Sequence, residues 1–135
     1  MTQTPLADQP IHLRNAGEIA AHFADLAHLP REVLGIAGLD HRGRLLCERR
    51  LQGHAFGVVT TPIALLPTVL TSGAVACVLI HNHPSGRLAP SLADLAFTER
   101  FQQAAEVCGL QLLDHVILAT TGWVSLREAG WLELP

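Results

Sequence analysis

Residues able to do chemistry are concentrated in His81-Asn82-His83-Pro84-Ser85-Gly86. Histidines at i and i+2 on extended chain point to the same side, which makes the pair a bidentate clamp for a metal ion. Ser91 follows His83 by eight residues, and Asp94 follows Ser91 by three. A helix opening at Ser91 would put Ser91 and Asp94 on one face. The Pro84/Gly86 loop would let that first turn fold back over the imidazoles. Two imidazole nitrogens and one carboxylate oxygen suit zinc with a fourth position left for water, the open arrangement of catalytic sites. Zinc lowers the pKa of bound water to about 7 and so makes hydroxide available at neutral pH. Such a site also needs a general base and a donor for a developing oxyanion. Ser91 can be that donor. The base must come from elsewhere, and the residues alone offer only Glu48, Glu99 and Glu106, which read as surface positions. Ser91-x-x-Asp94 is also a capping box, which requires no metal and is compatible with both roles.

The elements that must position these groups follow from periodicity and punctuation. Asn15 and Glu18 read as an N-cap and its capping-box partner. Ile19, Ala20, Phe23, Ala24, Leu26 and Ala27 then keep helical spacing until Pro30 stops the helix. The patterning predicts strands over 33–39 and 44–50, joined by the Asp40-His41-Arg42-Gly43 turn. A turn at Gln52-Gly53 and a third strand over 54–60 follow. Pro62 suits the first turn of a helix reaching about Ser72, with Pro67 inside it as a kink or a late start. The continuous apolar run 74–80 fits a central strand covered on both faces, and 81–90 reads as loop. The longest helix spans 91–108, with Gly109 at its end. Strands over 110–119 and 123–126 close the chain. This order predicts an α/β (α+β) fold, a mixed β-sheet flanked by helices in three layers.

Composition narrows the class. A chain of 135 residues and 14.5 kDa is one domain, read here as a flexible tail over 1–12 and a domain over 13–135. With 49% hydrophobic and 16% charged residues, disorder and coiled coil are excluded. A net charge of -3, 4% aromatics and no Tyr disfavour direct nucleic-acid binding. Three widely spaced cysteines without a CxxC speak against a disulfide framework and a thiolate zinc site. No signal peptide is visible, and the longest apolar run is far below the ~20 residues of a membrane helix. The expectation is a soluble cytoplasmic protein.

HNHPSG followed by Ser91-x-x-Asp94 and by Gly109-Leu-Gln-Leu-Leu-Asp-His-Val-Ile117 resembles the RadC-type branch of the JAMM (MPN/JAB) metalloprotease superfamily. The resemblance runs from about residue 11 to the end and is densest over 79–119. It implies a cytidine-deaminase-like three-layer architecture. It also implies zinc held by His81, His83 and Asp94, Ser91 at the oxyanion, and Glu32 as the catalytic glutamate on the first strand. The implied activity is hydrolysis of a peptide or isopeptide amide bond in a peptide or protein substrate. The alternatives are a DNA-repair-associated role, the family's historical label, and a non-catalytic scaffold. Three departures stand out. There is no room for an N-terminal helix-hairpin-helix. Pro62 is followed by Ile63 where the family shows Pro-Arg. The inserts with which deubiquitinating relatives hold ubiquitin are missing. Asp114-His115 also matches the family, His115 as a core histidine or as a partner to a metal ligand. Asn82 and Ser85 read as loop-shaping, Cys77 as a buried small hydrophobe, and Trp123 and Trp131 as packing residues.

Overall fold

The computed structural model describes residues 9–52 and 62–133, with the side chains of 62 and 63 excepted. The predicted third strand over 54–60 and the turn at Gly53 lie outside the described residues. The elements are α1 (Ala16–His22), a 3-10 turn (Ala24–His28), β1 (Val33–Leu39), β2 (Leu45–Gln52) and α2 (Pro62–Thr71). They continue with β3 (Ala76–Asn82), α3 (Leu92–Val107), β4 (Gln111–Ala119) and β5 (Gly122–Ser125). The sheet order is β2-β1-β3-β4-β5, with β3 and β4 parallel and every other neighbouring pair antiparallel. The fold is therefore α+β with a mixed sheet flanked by helices, consistent with the JAB/MPN architecture.

Helices cover both faces of the sheet. On one face Phe23, Leu26 and Ile19 pack over Ala37, Val78, Ile80 and Val116. On the other, Leu65 and Val69 of α2 with Phe97 and Phe101 of α3 pack over Ile36, Leu79 and Ile117. β1 and β3 are buried along their whole lengths, as a two-sided core requires. Among the described residues β2 lies at the edge of the sheet, with exposed Glu48, Arg49 and Arg50, charges that discourage further pairing. Gly38 on β1 marks a close approach. A Cβ there would lie 2.8 Å from the Cys47 sulfur and 3.0 Å from the Ala74 Cβ, so only glycine lets the α2 layer settle.

Several predicted boundaries move, for identifiable reasons. The first helix converts to a 3-10 turn after His22, which keeps Phe23 and Leu26 pointing at the sheet. Asn15 accepts from the Glu18 N–H as a cap, but the Glu18 carboxylate reaches the Arg14 N–H rather than closing a reciprocal box. Ile11 and His12 already pair with the β1–β2 hairpin, through the Leu45 N–H to Ile11 carbonyl bond at 2.7 Å and a bridge from His12 to Arg44. Helix α2 runs through Pro67. β3 starts at Ala76 and takes in His81 and Asn82, which the sequence reading assigned to loop. Its partners supply the reason, since β4 continues to pair as far as Asn82 opposite Leu118. Trp123 and Trp131 are 42% and 57% exposed, so neither is a core packing residue. Leu126 and Leu132 fill that end of the core instead.

Candidate metal centre

Strand alternation brings the first groups together. Cys77 and Leu79 of β3 face α2 and α3, and His81 continues that row at the end of the strand. Leu34 of β1 pairs with His81 and faces the same layer, so Glu32, two residues earlier, emerges at the same end and on the same side. The His83 N–H donates to the Leu118 carbonyl at 2.8 Å, which holds the residue past the strand end in an extended position beside His81. A carboxylate oxygen of Glu32 and ring nitrogens of His81 and His83 lie within 4.8 Å of one another.

Helix α3 delivers the fourth group. Its buried stripe is Asp94, Phe97, Thr98, Phe101 and Ala105, apolar over the core and polar in the first turns, where it meets the histidines. Ser91 caps the helix. Its Oγ accepts from the Asp94 N–H at 3.0 Å, and its N–H donates to Asp94 Oδ2 at 2.8 Å. This is the predicted capping box, worth about 1 kcal/mol. Here it also fixes the rotamer of Asp94, which is 2% exposed. Asp94 Oδ2 lies 3.1 Å from His83 Nε2, and Oδ1 lies 3.3 Å from His81 Nε2. The two Nε2 atoms are 2.9 Å apart. The carboxylate thus faces both imidazoles.

The outer bonds of the two rings assign their tautomers. His83 Nδ1 sits 2.7 Å from the Arg87 carbonyl, which can only accept, so Nδ1 carries the proton. On the other side, Thr98 Oγ1 donates to the Asp94 carbonyl at 2.7 Å and therefore accepts from His115 Nδ1, also at 2.7 Å. His115 Nε2 is then a lone pair, and it accepts from His81 Nδ1 at 2.8 Å. The Nε2 atoms of both rings consequently face the Asp94 carboxylate. Separations of 2.9–3.3 Å in a buried corner leave room for a proton or a metal ion shared among these groups. The separations are close to the ~3.3 Å edge of a tetrahedron with bonds of ~2.0–2.1 Å to zinc. Together with Glu32, whose carboxylate lies within 4.8 Å of both histidine nitrogens, these groups could hold a metal ion.

The electrostatics follow the same geometry. Burial opposes ionisation of Asp94, but the hydrogen bonds and charge of His81 and His83, with the Ser91 N–H, outweigh it and hold the carboxyl far below its usual range. The bond to Asp94 raises His83, against the opposing effect of burial. His115 is fully buried, and desolvation followed by the charge of His81 keeps it well below the ordinary histidine range. It is a core residue and also the direct partner of His81.

The structure thus brings Glu32, His81, His83, Asp94 and Ser91 to one corner. The other candidate bases fall elsewhere. Glu48 is on the edge strand, bonded to His22 and Arg50. Glu99 and Glu106 lie on exposed positions of α3. Sequence reasoning gave Thr98 no role beyond its place in the family motif, one helical turn after Asp94. It also misplaced Asn82, which is buried in β3 rather than shaping a loop. Ser85 does bond its own turn, through the Arg87 N–H at 3.3 Å.

A mixed sheet between helical layers, carrying a His-x-His strand end against a helix-borne aspartate, defines a JAB-type domain. A family model described as "RadC-like JAB domain" matches residues 13–131. The chain belongs to that family. A relative from Cellvibrio japonicus, named UPF0758 protein, is 38% identical over 110 residues, 81% of this chain and 49% of its own length. One of the same name from Pseudomonas fluorescens is 40% identical over the same shares. One from Thermotoga maritima is 32% identical over 124 residues, 91% of this chain and 56% of its own. The chain spans about half the length of these relatives. No helix among the described residues is long and apolar enough to cross a membrane.

Proposed function

We propose that this domain is a metal-dependent hydrolase of the JAMM type, cleaving a peptide or isopeptide amide bond. The observation that carries the reading is the convergence of the His81 and His83 ring nitrogens with the Asp94 carboxylate, beside Glu32. His81, His83 and Asp94 would hold the ion, and zinc is the metal that this donor set suits best. When bound, zinc supplies a Lewis acid and a water acidic enough to attack at neutral pH. Glu32, half-buried at the rim, accepts the proton of the attacking water and returns it to the leaving amine. Ser91 Oγ accepts from the Asp94 N–H, and its own hydrogen is available for the carbonyl oxygen that gains charge. A peptide or protein substrate would lie across the exposed rim between Glu32 and Ser91, in extended form.

Glu32 is close enough to the histidines to be read as a third ligand instead of a base. Glu32→Gln separates these roles. The base reading expects metal content unchanged at about one equivalent and amide hydrolysis reduced by roughly a thousandfold or more. The check is elemental analysis together with cleavage of a peptide and isopeptide library. Loss of the metal in Glu32→Gln would transfer Glu32 to the ligand set. Absence of metal from the wild type would remove the hydrolase reading.

A further inference from the structure

Asn82 stands between the two histidines in sequence, but its side chain turns away from them. It is fully buried at the end of β3. Its Oδ1 accepts from the Val33 N–H at 2.6 Å, and its Nδ2 donates to the Arg31 carbonyl at 2.8 Å. These two peptide groups flank a single residue, Glu32. The β1–β3 register ends at Leu34 opposite His81. Beyond that point the Asn82 amide takes over the work of the backbone ladder and grips the chain on both sides of Glu32. The chemistry is demanding. An aspartate has no donor for the Arg31 carbonyl, a leucine has neither group, and a glutamine is one methylene too long.

We propose that Asn82 is the positioning residue that sets the Glu32 carboxylate against the histidine pair. One strand end thereby supplies two functions in three consecutive residues. His81 and His83 face the α3 layer, and the residue between them fixes the base from the neighbouring strand. The inference rests on the reading of Glu32 as the base. Its physical weight comes from the steep cost of misplacement, since a shift of ~1 Å at a reacting group costs on the order of a hundredfold in rate.

The test uses the full chain with Co2+ as a visible probe, comparing wild type, Glu32→Gln, Asn82→Leu and the double variant. Asn82→Ala serves as the second replacement if Asn82→Leu fails to fold. Glu32→Gln gives the change in the cobalt absorption band when the carboxylate is lost from the site. The expected result is that Asn82→Leu shifts the band in the same direction although Glu32 is present, and that the double variant shifts it no further. A band identical to wild type in Asn82→Leu, or shifts that add in the double variant, would overturn the proposal and leave Asn82 a structural residue. A wild type that takes up no Co2+ would count against the hydrolase reading and not against this one. In that event, contacts between the Glu32 side chain and the His83 ring in nuclear Overhauser spectra of the metal-free protein decide. They are expected in wild type and absent in Asn82→Leu, and their persistence in the variant would overturn the positioning role.

Discussion

Asp94 and Asp114 are equally buried, each 2% exposed, and each accepts backbone N–H bonds, but their surroundings differ in one respect. Asp114 meets only donors. The His115 N–H at 2.7 Å, the Arg127 N–H at 3.1 Å and the Ser125 hydroxyl close around it. The Glu128 N–H in turn donates to the Ser125 Oγ at 3.0 Å, so this corner is a sealed clasp that holds the chain after β5. Asp94 meets the Ser91 N–H and, on its other side, two imidazole Nε2 atoms. One aspartate is satisfied by backbone and hydroxyl donors, and the other faces groups that can exchange a proton for a metal ion. Burial of a carboxylate alone does not distinguish the two; the groups it faces do.

The sharpest way to break this comparison is to neutralise each aspartate. Asp94→Asn keeps the cap geometry but removes the charge, and metal content should fall from about one equivalent to none. Asp114→Ala should leave metal content unchanged and cost about 3 kcal/mol in chemical denaturation, because three donors, two of them buried, lose their acceptor. The opposite pattern, metal lost from the Asp114 variant and kept in the Asp94 variant, would invert the assignment.

A smaller effect tests the tautomer chain. His115→Phe removes the acceptor for His81 Nδ1, and Thr98→Val removes the acceptor that fixes His115. Each should weaken metal binding by roughly 10–100-fold in chelator competition, with His115→Phe the stronger. Unchanged affinity in both would reduce His115 to a core residue.

The smallest effect concerns an exposed carboxylate as reference. Hydrogen bonds from the Arg14 side chain, then its N–H, lower Glu18 from the usual 4.5 to about 2. A depressed folded pKa contributes stability above the unfolded value, and that contribution is lost as pH falls through the folded one. The Tm gap between wild type and Glu18→Gln should therefore be small at pH 6 and close between about pH 4.5 and pH 2. Added salt should narrow it as well.

Much of the site was legible before any coordinates. His81, His83, Ser91 and Asp94 lie within 14 consecutive residues, and the periods of strand and helix suffice to turn them toward one another. Glu32 came from the family resemblance alone, because it lies 49 residues before His81 and no local period connects them. Asn82 and Thr98 were missed or misread for the same reason. An asparagine after an apolar run reads as the start of a loop, and only pairing of β3 with β4 extends the strand to include it. His115 shows the limit of counting by twos. The register shifts between Cys77 and Val78, so that Leu112 and Ile117 both face α3 although strict alternation would separate them. The irregularity puts His115 on the same face, next to His81 and Thr98.

By itself the sequence determined the layers, the helix cap and the ligand pair, because these depend on residues close enough in the chain for local geometry to relate them. Tertiary structure decided which carboxylate would face the histidine pair, how the outer ring nitrogens would be held, and what would grip the chain around Glu32. Those outcomes depend on hydrogen-bond partners from different strands and from α3, and a one-dimensional pattern carries no account of which donors and acceptors remain after the sheet has paired.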